Sequence, residues 1–171
     1  STSNENLELV DWLESNLENF DIVVVPDYGN GFITDSMTEV ISRKSKFLAI
    51  NTQINSGNRG YHVVNRYNSA DFISLNEPEI RLARHDLQDS VVELSKVTAK
   101  LLNANFISVT QGPAGLYTYC TNNDNSFKVP ALSSNVVDRV GAGDAFLSIS
   151  AICLGSDLNP EISIFLGATA A

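Results

Sequence analysis

The sequence predicts an α/β fold, a doubly wound and mostly parallel sheet with helices flanking it. Two observations predict it: short continuous apolar runs alternate with amphipathic stretches, and no hairpin turn separates the first four runs, which implies parallel crossovers.

Leu7, Val10, Leu13 and Leu17 recur at helical spacing and open the chain with a helix. Ile22-Val23-Val24-Val25 is the first buried strand, and a helix is expected over 35–46. Strands follow over 47–50, 71–75 and 106–110, with a helix over 87–102 between the last two. The pattern then changes. Residues 116–120 and 127–129 flank the polar segment 121–126, which suggests an antiparallel pair at the sheet edge. A helix begins near Asp144, and Pro160 opens another. That last helix carries no stop signal, so the chain is expected to be cut inside an element.

With 171 residues, 43% of them hydrophobic, the chain suits about one domain, which buries roughly 70% of its unfolded surface. The net charge of -9 argues against nucleic acid or an anionic membrane as a partner, because both need clustered Lys and Arg. Cys120 and Cys153 lack metal or redox spacing, and His62 and His85 belong to no ligand cluster. The two cysteines read as packed thiols in a reducing compartment. No apolar run approaches a membrane span and no leader pattern precedes one, so a cytoplasmic protein is expected.

In an open parallel sheet ligands bind beyond the carboxyl ends of the strands, so the residues there are the ones to read. Asp27-Tyr28-Gly29-Asn30-Gly31 follows the first strand and reads most simply as a glycine turn. Asn76-Glu77-Pro78-Glu79 follows the third. It has the pattern of a capping box, while Asn76 and Glu79 could also hold a hydrated Mg²⁺ against nucleotide phosphates. Thr110-Gln111-Gly112-Pro113-Ala114-Gly115 is either a tight turn or a hydroxyl with open N–H groups facing a nucleotide.

The most informative stretch is Asp138-Arg139-Val140-Gly141-Ala142-Gly143-Asp144-Ala145-Phe146. Two glycines and a carboxylate open an apolar helix. Unpaired N–H groups and the helix dipole make such an N-terminus attractive to a phosphate, and Asp144 would stand beside it, placed to take a proton from an attacking hydroxyl. No Gly-Lys-Ser or Gly-Lys-Thr follows, and Phe146 sits where a dinucleotide fingerprint wants its third glycine. Phosphoryl transfer is the first expectation, with a purely architectural turn as its rival.

The string Asp138-x-x-Gly141-Ala142-Gly143-Asp144-Ala145-Phe146 resembles the C-terminal signature of the ribokinase (PfkB) family of ATP-dependent carbohydrate kinases. Asn76-x-x-Glu79 and Thr110-x-Gly112-x-x-Gly115 resemble that family's Mg²⁺-phosphate and nucleotide-side elements, in the same order. The resemblance implies a ribokinase-like fold, ATP and Mg²⁺ as cofactors, and a sugar as the small-molecule partner. It makes Asp144 the catalytic base and the N–H groups of Gly141, Ala142, Gly143 and Asp144 the anion hole. Thr110, Gly112 and Gly115 face the nucleotide, Asn76 and Glu79 organise metal and phosphate, and Asp138 lies near a frequent monovalent-cation (K⁺) site.

Asp27-Tyr28-Gly29-Asn30-Gly31 is similar to the Asp-Tyr-Gly-x-Gly of the kinase domain of ADP-heptose synthases, which puts Asp27 on the substrate side and a heptose phosphate forward as acceptor. Two departures stand against it: Asn30 replaces a frequent lysine, and Asn51-Thr52-Gln53 stands where those kinases usually show Asp-Pro-Lys. Asp138-Arg139-Val140 is similar to keto-deoxygluconate kinases, and vitamin or nucleoside kinases of the same superfamily are further alternatives. Family members are longer. The chain is therefore expected to be the nucleotide-binding half of one kinase domain over 1–171, with the N-terminal half and the final helices missing. Alone it could be inactive or serve as a non-catalytic nucleotide or sugar sensor, and its open sheet edge invites association, a homodimer of the full-length protein included.

Overall fold

The computed structural model describes residues 3–54, 57, 62–132 and 141–171. Helix α1 (Ser3–Asn16) passes through a single 3₁₀ turn into strand β1 (Val23–Asp27), followed by helix α2 (Asp35–Lys44) and strand β2 (Leu48–Thr52). Strand β3 (Phe72–Asn76), helices α3 (Glu77–Arg84) and α4 (Val91–Leu101), and strand β4 (Phe106–Thr110) come next. Strands β5 (Leu116–Cys120) and β6 (Asn125–Val129) precede helices α5 (Ala142–Gly155) and α6 (Pro160–Ala170).

Among the described residues six strands lie in sequence order, β1 to β4 parallel and β5 and β6 antiparallel. Register sets the carboxyl ends of the parallel strands level: Asp27 pairs with Thr52, and Asn76 with Thr110. Each parallel crossover therefore leaves from the same end of the strands, and that carboxyl end is where a ligand site forms in such a sheet.

Each face of the sheet is covered. On one, Val25, Ile50, Ile73 and Ile107 pack under α2, α3 and α4 through Met37, Ile41, Ile80 and Leu94. On the other, Ala49, Phe72 and Leu116 meet Phe146, Leu147 and Ala151 of α5 and Ile164 of α6. Phe146 meets Phe72 edge-on, ring centroids 6.3 Å apart, and this contact seats the first turns of α5 over the middle of the sheet. A Cβ on Gly167 would lie 2.0 Å from Ser150 Oγ, so α6 approaches α5 at a distance only glycine permits.

Two expected boundaries move. The helix expected over 87–102 starts at Val91, because Asp86 Oδ1 accepts from the Gln88 and Asp89 N–H groups at 2.7 and 2.8 Å and Ser90 then caps α4; Leu87 is left 85% exposed. In the polar segment 121–126, Thr121–Asn123 forms a 3₁₀ turn, Asp124 takes a left-handed conformation, and Asn125 and Ser126 already belong to β6. Cys120 and Cys153 are free thiols. Among the described residues no helix is long and apolar enough to cross a membrane.

Candidate active site

Asp27 ends β1 and points inward, with 2% of its surface exposed. Its Oδ2 accepts from Arg66 Nη1 and from the Tyr67 hydroxyl, both at 2.9 Å, and its Oδ1 accepts from the Gly29 N–H at 3.2 Å. His62 Nε2 lies 2.9 Å from the same Oδ1 without hydrogen-bond alignment. Arg66 continues to the Ile33 carbonyl and to Asp35, so this one carboxylate fixes the whole segment between β1 and α2. Burial, and then the Asp27 charge, push the Tyr67 phenol far above its usual range. Asp27, expected on the substrate side, spends its oxygens inside the protein.

Its neighbour Tyr28 faces outward, 43% exposed, and donates its hydroxyl to Asp144 Oδ2 at 2.7 Å. Gln53, just past β2, donates Nε2 to Asp144 Oδ1 at 3.2 Å, while its backbone N–H extends the β1–β2 ladder to the Asp27 carbonyl. Both Asp144 oxygens are engaged, one from each of two adjacent strand ends. The bond to Asp144 holds the Tyr28 phenol above its ordinary value, since losing the proton would set two anions together.

Asp144 is the third residue of α5, after Ala142 and Gly143, with Gly141 as the N-cap at φ 84°. The first N–H groups of a helix have no intrahelical partner, and a glycine cap offers them no side chain. Among the described residues no atom lies within 4 Å of a Cβ added at Gly141 or Gly143. A bulky anion could approach this backbone closely.

At the end of β3 the capping box of α3 is formed: Asn76 Oδ1 accepts from the Glu79 N–H at 2.9 Å, and Glu79 Oε2 from the Asn76 N–H at 2.8 Å. The Glu79 carboxylate also accepts from the Ile54 N–H, and burial, only partly offset by these bonds, raises its pKa. Engaged in this way, the pair does not present two open oxygens, and a Mg²⁺ ion would be reached through its water shell. Among the described residues no cluster of three or more His, Cys, Asp or Glu side chains could hold a metal directly.

Thr110 pairs with Asn76 across β3–β4, and its turn, Gly112–Ala114, closes onto β5. Gln111 donates to Glu77, whose other oxygen accepts from Arg81, so the turn is tied to α3. The two glycines differ. Gly115 (φ 84°) presses on the end of β6, whereas Gly112 (φ 55°) has open space around it and is the one that could face a ligand. Asp138 lies outside the described residues.

The structure thus gathers Asp27, Tyr28, Gln53 and Asp144 at the ends of β1 and β2, and Asn76, Glu79, Thr110 and Gly112 at those of β3 and β4. Sequence reasoning did not pair Tyr28 or Gln53 with Asp144. They stand 116 and 91 residues from it, and their signals are a place directly after a strand and membership of the two stretches compared with ADP-heptose synthases, neither of which points to Asp144.

The fold and the level strand ends define the class, the ribokinase-like α/β proteins. A family model for pfkB family carbohydrate kinases matches residues 2–171, and the chain belongs to that family. Among curated relatives it is 26% identical over 167 residues to the bifunctional protein HldE of Campylobacter fetus, covering 96% of this chain and 35% of that protein. Against the HldE of Campylobacter curvus the identity is 28% over 153 residues, 87% of this chain and 31% of that one. Among solved structures it superposes on phosphofructokinase-2 from Escherichia coli in complex with potassium (TM-score 0.76, 16% identity, 98% of this chain and 54% of that one). It superposes also on the ribokinase of Thermotoga maritima (TM-score 0.72, 21% identity, 95% and 52%). The chain spans about a third of the length of the curated relatives and about half of the solved kinases.

Proposed function

We propose that this chain is the nucleotide-binding half of a cytoplasmic kinase that transfers the γ-phosphoryl group of ATP to a sugar hydroxyl. The observation that carries the reading is the place of Asp144: a carboxylate on the first turn of an uncapped helix, held over the ends of β1 and β2 by Tyr28 and Gln53. Asp144 takes the proton of the acceptor hydroxyl as its oxygen attacks the γ-phosphorus. The bond from that phosphorus to the bridging oxygen breaks and ADP leaves. The N–H groups of Ala142, Gly143 and Asp144 meet the charge that develops on the transferred group, and positioning with electrostatics carries most of the rate. Gly141 lets the phosphoryl group approach.

Thr110 and the open Gly112 turn face the nucleotide, with Gly115 setting the turn's shape. Asn76 and Glu79 would hold a hydrated Mg²⁺, which when bound would supply neutralisation of phosphate charge. Asp138 is the residue for a monovalent cation, and a K⁺ requirement would fit the potassium complex of the E. coli relative. The acceptor favoured is a heptose phosphate, on the Asp27-Tyr28-Gly29-x-Gly31 resemblance and the HldE matches. A homodimer of the full-length protein is the assembly expected.

The test is an ATP-dependent phosphorylation assay on the full-length protein and on this chain side by side, with heptose phosphate, keto-deoxygluconate, ribose and fructose phosphate as acceptors. Phosphoryl transfer to one of these sugars with stoichiometric ADP supports the reading. ATP binding without transfer to any sugar contradicts it.

A further inference from the structure

The carboxylates at the third helical position of α3 and of α5 behave in opposite ways. In α3, Glu79 folds back onto the N–H of its own cap residue, Asn76, and so closes the helix end. In α5, Asp144 occupies the same position but turns its oxygens outward, Oδ2 to Tyr28 and Oδ1 to Gln53. The first end is sealed; the second is held open.

We propose that Tyr28 and Gln53 are positioning residues that keep Asp144 from capping its own helix, aiming its carboxylate at the acceptor and leaving the Gly141 N–H, with the first-turn N–H groups of α5, to the phosphoryl group. The inference rests on the kinase reading above. An Asp side chain rotates freely about two bonds, and one fixed bond would still leave it a swing; two donors on different strand ends remove that freedom. Each carboxylate oxygen has a second lone pair, so the acceptor hydroxyl can still be met with both bonds in place. The Tyr28 anchor is set in turn by Asp27, which holds the Gly29 N–H, and the Gln53 anchor by its backbone bond to the Asp27 carbonyl. This gives the buried Asp27 its part in the site.

The test compares Tyr28→Phe, Gln53→Glu and Gln53→Lys in the full-length protein, reading kcat and both KM values, with a thermal melt for each. Gln53→Glu keeps the shape but sets an acceptor against Asp144, whereas Gln53→Lys restores an N–H donor. Expected are losses in kcat of about 10-fold for Tyr28→Phe and about 100-fold for Gln53→Glu, with KM for ATP and sugar within about twofold. Gln53→Lys should recover most of the lost kcat. Wild-type kcat in the first two variants, a loss confined to KM, or a lysine variant no better than the glutamate one overturns the inference alone. A wild-type protein that phosphorylates no sugar contradicts the kinase reading itself.

Discussion

Gly115 lies so close to the end of β6 that a Cβ on it would stand 2.1 Å from the carbonyl oxygen of Val129. Its backbone, φ 84° and ψ -139°, is also one that only glycine adopts readily. Gly115→Ala should therefore cost at least about 2 kcal/mol, while Gly112→Ala, with φ 55° and open space, should cost about 1 kcal/mol from the left-handed backbone alone. Urea unfolding of the two variants checks the order, and equal costs would mean that β6 moves aside.

Asp27→Asn should destabilise the fold by about 2–4 kcal/mol, because in either orientation the amide sets its NH2 against a donor, Arg66 and Tyr67 on one side or the Gly29 N–H on the other, and leaves the guanidinium without its buried charge. Arg66 retains some contact with water, which keeps the cost below the fully buried limit. Chemical denaturation measures it. The variant should also lose activity, since Tyr28 is set by this segment.

Glu79 makes stability depend on pH. Burial raises its folded-state pKa above the unfolded one, so the stability it contributes is present at low pH and is lost as pH rises through the folded value. Gln can keep the bond to the Asn76 N–H without the charge. Glu79→Gln should accordingly gain stability relative to wild type between pH 4 and pH 7, read from urea midpoints at the two values. A constant difference would show that the carboxylate is not strained by burial.

Much of this was legible in the sequence. Strands buried on both faces need continuous apolar runs, so Val23-Val24-Val25 and Phe72-Ile73-Ser74-Leu75 announced themselves, and the pattern Asn76-x-x-Glu79 announced the cap that forms. Gly141 and Gly143, at the cap and in the first turn, marked the N-terminus of α5. What was hidden depends on contacts distant in sequence. Asp27 turns inward because Arg66 and Tyr67, about 40 residues on, wait for it. Gln53 and Tyr28 find Asp144 only once strand register sets their ends level. The delayed start of α4 was local but subtle, an Asp86 turn competing with the helix for the same N–H groups.

The central claim is that Asp144 removes the acceptor's proton. The measurement is turnover and ATP affinity of Asp144→Asn in the full-length protein, since the amide keeps the shape and loses the base. A fall in kcat of about 10²- to 10⁴-fold with ATP affinity unchanged is predicted. Turnover near that of the wild type would contradict the account.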